Sequence, residues 1–518
     1  MGAPLALLAV AMSSCLIFTS TMVTTPVTDA QDVAGMHRRL VDVLSDDEIA
    51  RIGASRWLSR SRPLRIATVC SGTDAPAMAL DRVFQCLAER GGQLVGRDRP
   101  RMMEHVFSCE NVPFKRSFIA STTDPPLLFN DVTEIAEGRG KCHDGKVRSV
   151  PEDFDVLVAG TECVDFSNLT TTPKGLRGGG RSAITFWATV DLAAIRRPPL
   201  VVLENVASCP ATEMEQAFRD IGYDAVHTKL CTSDYLLPQS RRRAYFVFCL
   251  RDKAQFVGDD GEAWVKCMER LGSKRPKSPK EKALGWTDFL VSDVDTMYSK
   301  NKGKKPRGKC LSESLGAKWL AEITSIEERE GLPAYDSPGG RPYSDATKGL
   351  DALALLPDRA KMRLDVQCKR AQAAGINPFA VPLLWNPAQQ LRFTDAGFSK
   401  DGGSGGSGGA PAAKAIAPCV TPKHEWIVSS RKAPFTGVEA LLLQGISLQS
   451  YDARGLKKFD DKQLRDLAGN AMSTTVVAAV FLSCFLNCEL VGEGSDVKRM
   501  PSADASESSE NKRMRFSV

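Results

Sequence analysis

The chain has 518 residues, a formal net charge of +6, 43% hydrophobic and 25% charged residues. These values are ordinary for a globular protein built from one large and one smaller domain, and so mild a charge permits a nucleic-acid partner without demanding one. The 15 cysteines are scattered with no CxxC pair. That argues against a structural zinc site and a disulfide framework, and for a reduced intracellular protein with mostly buried thiols.

In chain order, Ala3–Phe18 is almost wholly apolar and uncharged. It reads as a targeting core, a membrane anchor or an unstructured start, without the positive flank of a secretory signal. No later run reaches 18 apolar residues, so no further membrane span is expected. Residues 20–62 read as a polar leader with one helix, Asp46–Ser59. The ordered core is expected from Leu64. Arg65–Val69 is a strand, CSGTDAP a glycine turn, and Leu80, Val83, Phe84 and Leu87 have the spacing of an amphipathic helix. His105–Ser108 is a second strand closing on Glu110, and Leu127–Val132 a third carrying Asp131. Asp155–Ala159 is a strand, Ile184–Ile195 a helix, and Leu200–Leu203 an apolar strand ending at Glu204. Thr212 and Glu215 have the spacing of a capping box. Ala225–Leu230 and Ala244–Leu250 are further strands. This alternation predicts an α/β fold with a doubly wound, largely parallel sheet.

The pattern stops near residue 255. Residues 271–310 carry 11 Lys/Arg against 4 Asp/Glu, and the run 274–309 reads either as phosphate contacts or as a solvated insertion. Gly402–Gly409 is a flexible linker by composition. Thr474–Leu490 reads as an apolar helix opened by GNAMST, and the polar tail from Val491 as disordered. In that tail, Lys498-Arg499 and Lys512-Arg513 have the spacing of a two-part nuclear signal, whereas the apolar start favours an organelle or a membrane.

The glycine turn, Glu110, Asp131, Cys163 and Glu204 stand at carboxyl ends of predicted strands, where open α/β sheets do chemistry. The glycine turn lacks the full GxGxxG, which disfavours an ordinary dinucleotide site but allows close backbone approach to a ligand. Glu110 and Asp131 are placed either to bind the ribose and base of a nucleoside cofactor without a pyrophosphate, such as S-adenosylmethionine, or to be solvated loop residues. Cys163, in GTECVDFS after a buried strand, is either a packed thiol or a nucleophile. Glu204 closes an apolar strand and reads either as a carboxyl kept neutral by desolvation and able to donate a proton, or as a solvated strand end. Arg241 and Arg243 precede an apolar strand and read as an anion clamp or an exposed turn.

The order of these segments resembles the DNA (cytosine-5)-methyltransferase family. CSGTDAP (70–76) is similar to its first, cofactor-binding motif, SCENV (108–112) and NDVT (130–133) to the next two, and GTECVDFS (160–167) to its nucleophile loop. LENV (203–206), PQSRRR (238–243), LLQG (442–445) and LAGNAM (467–472) follow in the family's order. The resemblance implies a Rossmann-like S-adenosylmethionine-dependent methyltransferase sheet with a smaller, irregular target-recognition domain. It divides the chain into a leader 1–62, a catalytic part 63–255, a target-recognition region 256–420, a returning part 421–490 and a tail 491–518.

By resemblance, Cys163 attacks C6 of a flipped cytosine, Glu204 protonates N3, and Arg241 and Arg243 orient the base. Cys70, Gly72, Thr73, Asp74, Glu110, Asp131 and Asn470 hold S-adenosylmethionine. The implied partner is double-stranded DNA or, with the same chemistry, transfer RNA. A monomer without metal is expected. Glu162 stands where the family has proline and Val164 where it has glutamine. A carboxylate facing the thiol raises its pKa, and loss of proline loosens the loop. A catalytically weak nucleic-acid-binding homologue is the alternative from another class.

Overall fold

The structure, a computed structural model, describes residues 33–91, 102–167, 174–258, 260–272, 284–291, 313–333, 358–387, 397–399, 412–446 and 458–491. The apolar stretch 3–18, the linker 402–409, most of the basic run 274–309 and nearly all of the tail lie outside them.

The centre is one seven-stranded sheet. Its strands are β1 (Leu64–Val69), β2 (Met103–Cys109), β3 (Leu128–Phe129), β4 (Val156–Ala159), β5 (Leu200–Val206), β6 (Tyr223–Cys231) and β7 (Arg242–Leu250). They lie in the order β3-β2-β1-β4-β5-β7-β6. Only β7 runs antiparallel to its neighbours. This is a mixed, largely parallel α/β sheet, as the alternation of strands and helices predicts.

Register decides where the chemistry gathers. Val69 pairs with Ala159, and Ala159 with Leu203, while Val69 also pairs with Cys109 and Cys109 with Phe129. The residues that follow these strands therefore leave the sheet along one carboxyl edge. Because β7 is antiparallel, it begins at that edge, with Arg243 opposite Val206.

Both faces of the sheet are covered, which is why the central strands are apolar throughout. On one face Ile66, Val156, Val158, Val202 and Val247 pack under helices α1 (Val33–Asp42), α2 (Asp46–Ala54) and α3 (Ala75–Gly91), together with residues from Trp264 and from Val476 to Phe485. Helix α4 (Pro113–Thr122) gives Phe118 to a separate core with Trp286 and Trp426, while on the other face of the sheet Ala67, Leu157, Ala159, Val201 and Phe248 pack with Ile135, Phe186 and Phe218 of α5 (Val132–Ala136), α6 (Arg181–Arg196) and α7 (Ala211–Asp220). Helix α8 (Glu262–Gly272) belongs to the first face. Helices α9 (Glu313–Glu330) and α10 (Asp358–Ala373) meet through Ile323, Ile326, Met362 and Val366. The returning part forms α11 (Gly437–Leu442), α12 (Asp461–Asn470) and α13 (Thr474–Asn487). Helices α11 and α12 share a third core, around Trp426, Phe435 and Leu441, with Phe118, Leu237 and Trp286, whereas α13 packs on the first face of the sheet.

Several expectations need correction. Residues 33–62 are not a leader: Leu40, Val41, Ile49, Ile52 and Trp57 lie in the first core, because their apolar side chains cover α3 and α13. The helix at 46 ends at Ala54, not Ser59, and is opened by a Ser45–Glu48 capping box. The catalytic part extends past 255 to α8, whose Trp264 and Met268 are fully buried. Thr212 and Glu215 form no capping box; Pro210 precedes α7 with no side-chain cap, and Glu215 instead meets His227 at 2.7 Å. The final helix stops at Asn487, and Cys488–Leu490 turn into a ribbon with Ala254–Phe256. Composition alone would let the helical stretch Asp461–Asn487 cross a membrane, yet 94% of its apolar window is buried inside the fold.

Trp57 is 1% exposed and its indole N–H donates to Cys488 O at 2.6 Å. Trp57→Ala is expected to lower the unfolding free energy by about 3–5 kcal/mol in a denaturant titration, as for other large-to-small core changes; an expendable leader residue would leave it unchanged.

Candidate active site

The turn after β1 is built around three left-handed residues, Cys70 (φ +51°), Gly72 (φ +59°) and Asp74 (φ +61°). The Gly72 amide donates to Glu110 Oε2 at 2.8 Å, and the Val112 amide to Glu110 Oε1 at 2.9 Å. Both carboxylate oxygens are thus anchored, each keeping a second lone pair. A Cβ on Gly72 would lie 3.3 Å from Asn470 O, so this turn and the end of α12 are in contact. The Asn470 side chain donates to Asp466 Oδ1 at 2.9 Å, and Lys115 Nζ stands 3.1 Å from the same oxygen.

Asp74 behaves differently from its expected place among ligand contacts. It is fully buried and accepts from Thr68, Ser108 and Thr123 hydroxyls at 2.7, 2.7 and 2.8 Å. It fixes the turn from inside. Asp131 caps α5, accepting from the Thr133 amide at 2.9 Å and hydroxyl at 2.8 Å. Thr73 Oγ1 and Asn130 Oδ1 are buried with no hydrogen-bond partner. Cys70 is half-buried, and burial pushes its thiol far up, helped by Glu110.

Cys163 is half-buried in the loop after β4. Its carbonyl accepts from Phe166 and Ser167 amides at 3.1 and 3.0 Å. Asn205, next to Glu204, donates to Thr161 Oγ1 at 3.0 Å and ties the start of this loop to the end of β5. Burial raises the Cys163 thiol first, and the Glu204 carboxylate adds to it; Arg243 and Arg241 oppose, and Glu162 is the last contributor. The carboxylate that matters most to the thiol is therefore Glu204, not its neighbour Glu162.

Glu204 is 9% exposed. Its Oε1 stands 3.1 Å from Arg243 Nε, yet no N–H points at it with hydrogen-bond geometry. A buried charged partner replaces the apolar surroundings expected for this residue. Arg241 is turned away from that group. Its guanidinium is 3% exposed and donates to Val420 O at 2.8 Å, Gly469 O at 3.2 Å and Ala471 O at 2.9 Å. Burial, reinforced by Arg243, lowers its pKa. Both arginines also approach Cys419 Sγ at 3.8 Å.

A family model described as "C-5 cytosine-specific DNA methylase" matches residues 102–485. The chain belongs to this family. Within it, DNA (cytosine-5-)-methyltransferase DMT5 of Cryptococcus neoformans var. grubii is 31% identical over 475 residues, 89% of this chain and 19% of that protein. The DMT5 of Verticillium dahliae is 24% identical over 502 residues, 86% of this chain and 20% of that protein. The chain thus spans only a small part of the length of these relatives. The solved S. pombe Dnmt2 methyltransferase aligns at a TM-score of 0.42 and 13% identity, over 81% of this chain and 98% of that one.

For a C-5 cytosine-specific DNA methylase, the site has supports that motif reading did not pick out. Gln239 accepts from the Val420 amide at 2.9 Å and donates to Leu443 O at 3.0 Å. Ser473 links Thr232 Oγ1, at 2.9 Å, to Gln444 Oε1, at 2.7 Å. Gln239 and Gln444 lie inside quoted motifs, so a signal existed. Cys419, Thr232 and Lys115 carry none, because only the fold brings them there.

Arg241→Lys is expected to cost about 2–4 kcal/mol of stability in denaturant unfolding, since the single nitrogen of an ammonium cannot reach carbonyls that two guanidinium nitrogens now serve. Arg243→Lys, which keeps a cation beside Glu204, should change stability by less than about 1 kcal/mol.

Proposed function

We propose that this chain transfers a methyl group from S-adenosylmethionine to C5 of cytosine in duplex DNA, through a covalent bond between Cys163 and C6. The observation that carries the reading is the buried Glu204 Oε1 without a hydrogen-bond donor, electrostatically coupled to the Cys163 thiol. Cytosine offers that oxygen its C4 amino N–H and an N–H at N3 once protonated. A base reaches such a position only when turned out of the stack. The DMT5 relatives, named as DNA (cytosine-5-)-methyltransferases, support the same substrate.

The residues divide the work as follows. Cys163 thiolate bonds to C6, and Glu204, a carboxylate paired with Arg243 in the free site, takes up a proton with the base and passes it to N3 as electron density moves into the ring. Arg243 keeps Glu204 oriented and favours the thiolate. S-adenosylmethionine supplies the electrophilic methyl group that C5 accepts. Loss of the C5 proton to a water molecule, with return of the N3 proton to Glu204, then restores the ring double bond and expels the Cys163 thiolate, which leaves as readily as it adds. Arg241 acts behind them by holding the returning part against the start of β7.

The carboxyl edge fits the methyl donor. The Gly72 turn lets backbone approach closely, Glu110 retains lone pairs for ribose hydroxyls, and Thr73 Oγ1 and Asn130 Oδ1 are buried polar atoms still lacking partners. Asp131 and Asn470 border the same edge.

Incubation with labelled methyl donor and either duplex DNA or transfer RNA tests the reading, with bisulfite mapping of the product. Label in DNA is expected; label in transfer RNA alone would overturn the DNA substrate. Cys163→Ala should abolish transfer and the covalent adduct with 5-fluorocytosine DNA.

The raised Cys163 pKa sets the pH dependence. The neutral thiol dominates at pH 7, so the thiolate fraction grows tenfold per pH unit below its pKa. The adduct-formation rate should climb with a slope near 1 and not level off below about pH 9, because burial lifts the thiol above its ordinary value.

A further inference from the structure

Glu162 occupies the position next to the nucleophile, and its contacts are specific. Its amide donates to Thr185 Oγ1 at 3.1 Å, on the first turns of α6. The Thr185 hydroxyl proton goes to Arg181 O and Ser182 O, both at 3.2 Å, which leaves its lone pair facing the amide. The Glu162 carboxylate Oε2 stands 3.2 Å from Arg181 Nε. On the other side of Cys163, the Asp165 amide donates to Ser182 Oγ at 3.0 Å, and the Ser182 amide donates back to Asp165 Oδ2 at 2.9 Å. A Cβ on Gly180 would collide with that Asp165 oxygen, so the loop lies directly on the helix start. Cys163 is pinned to α6 by the residues on both sides of it.

We infer that Glu162 is a positioning residue: together with Thr185 and Arg181 it forms a hydrogen-bonded brace that holds the nucleophile loop in place of the rigidity a proline would supply. The inference rests on the reading of Cys163 as the nucleophile. Proline at 162 removes the amide donor, and its ring carbon would enter the 3.1 Å space before Thr185 Oγ1. The loop then has to move off α6. Glu162→Pro is therefore damaging, not restorative. The carboxylate is drawn towards Arg181, which fits its minor influence on the thiol.

The test uses Glu162→Pro, Glu162→Gln, Thr185→Val and the Glu162→Pro/Thr185→Val double variant of the full chain. Two readouts are taken: the rate of adduct formation on 5-fluorocytosine DNA, and alkylation of Cys163 by iodoacetamide across pH, followed by mass spectrometry. Glu162→Pro should slow the adduct roughly thirtyfold with little change in DNA KM, and Thr185→Val about fivefold, the scale of one lost hydrogen bond. Both should speed Cys163 alkylation, since the freed thiol is less buried. Glu162→Gln keeps the amide and an acceptor for Arg181, and should stay within about threefold of the parent. In the double variant the valine should add nothing, because its partner is already gone.

Adduct formation by Glu162→Pro equal to or faster than the parent would overturn the brace. So would unchanged alkylation in Glu162→Pro and Thr185→Val. Should Glu162→Pro not fold, Thr185→Val and Glu162→Gln decide the matter alone. Failure of the parent to form any adduct would refute the cytosine reading instead, while alkylation still reports on the brace.

Discussion

The site depends on one buried guanidinium. Arg241 joins the start of β7 to residues 420, 469 and 471, more than 170 positions away in the chain, through carbonyl acceptors. Its hydrogen bonds let a strand that enters the sheet backwards share an edge with segments that close the fold last. Without that clasp, Arg243 would have no fixed place beside Glu204, and the end of α12 no fixed distance from Gly72. Buried carbonyls need partners, and a single planar donor group satisfies three of them at once.

Around the thiol, the effects that hold the proton outweigh those that release it. Burial and Glu204 hold the proton on Cys163, and two arginines pull the other way. Glu204 is needed close by for the base, so its effect on the thiol is unavoidable. Arg243 lies between them and moderates it: it pairs with Glu204 at 3.1 Å, and burial of the pair is tolerable only because the charges meet.

Much of the sheet was legible from sequence because its strands are short, apolar and separated by turn residues. The carboxyl-edge positions of Cys70, Glu110, Cys163 and Glu204 followed from that pattern. The antiparallel direction of β7 was not legible, since Arg242–Leu250 reads the same either way; direction is set by pairing with Leu200–Val206. Nor could sequence separate the two arginines. They are two residues apart on one strand, yet one bonds main-chain carbonyls and the other faces a carboxylate. Asp74 looked like a ligand contact by motif and is an internal hub, because three hydroxyls from distant strands and helices converge on it. The helix at 33–42 was missed, and the one at 46–54 was placed in a leader, because their apolar positions are diluted by charged ones and only the surface they cover makes them core.

The ribbon of Cys488–Leu490 with Ala254–Phe256, and the Trp57 bond to Cys488 O, have a consequence for synthesis. The first face of the sheet receives α13 only after nearly the whole described chain has been made. Until then α3 and the strands beneath it carry an uncovered apolar surface, and the Gly72 turn lacks its neighbour from α12. Folding of this domain is governed by closure between its two ends, a long-range step that is slow and leaves the growing chain open to misassociation until it occurs.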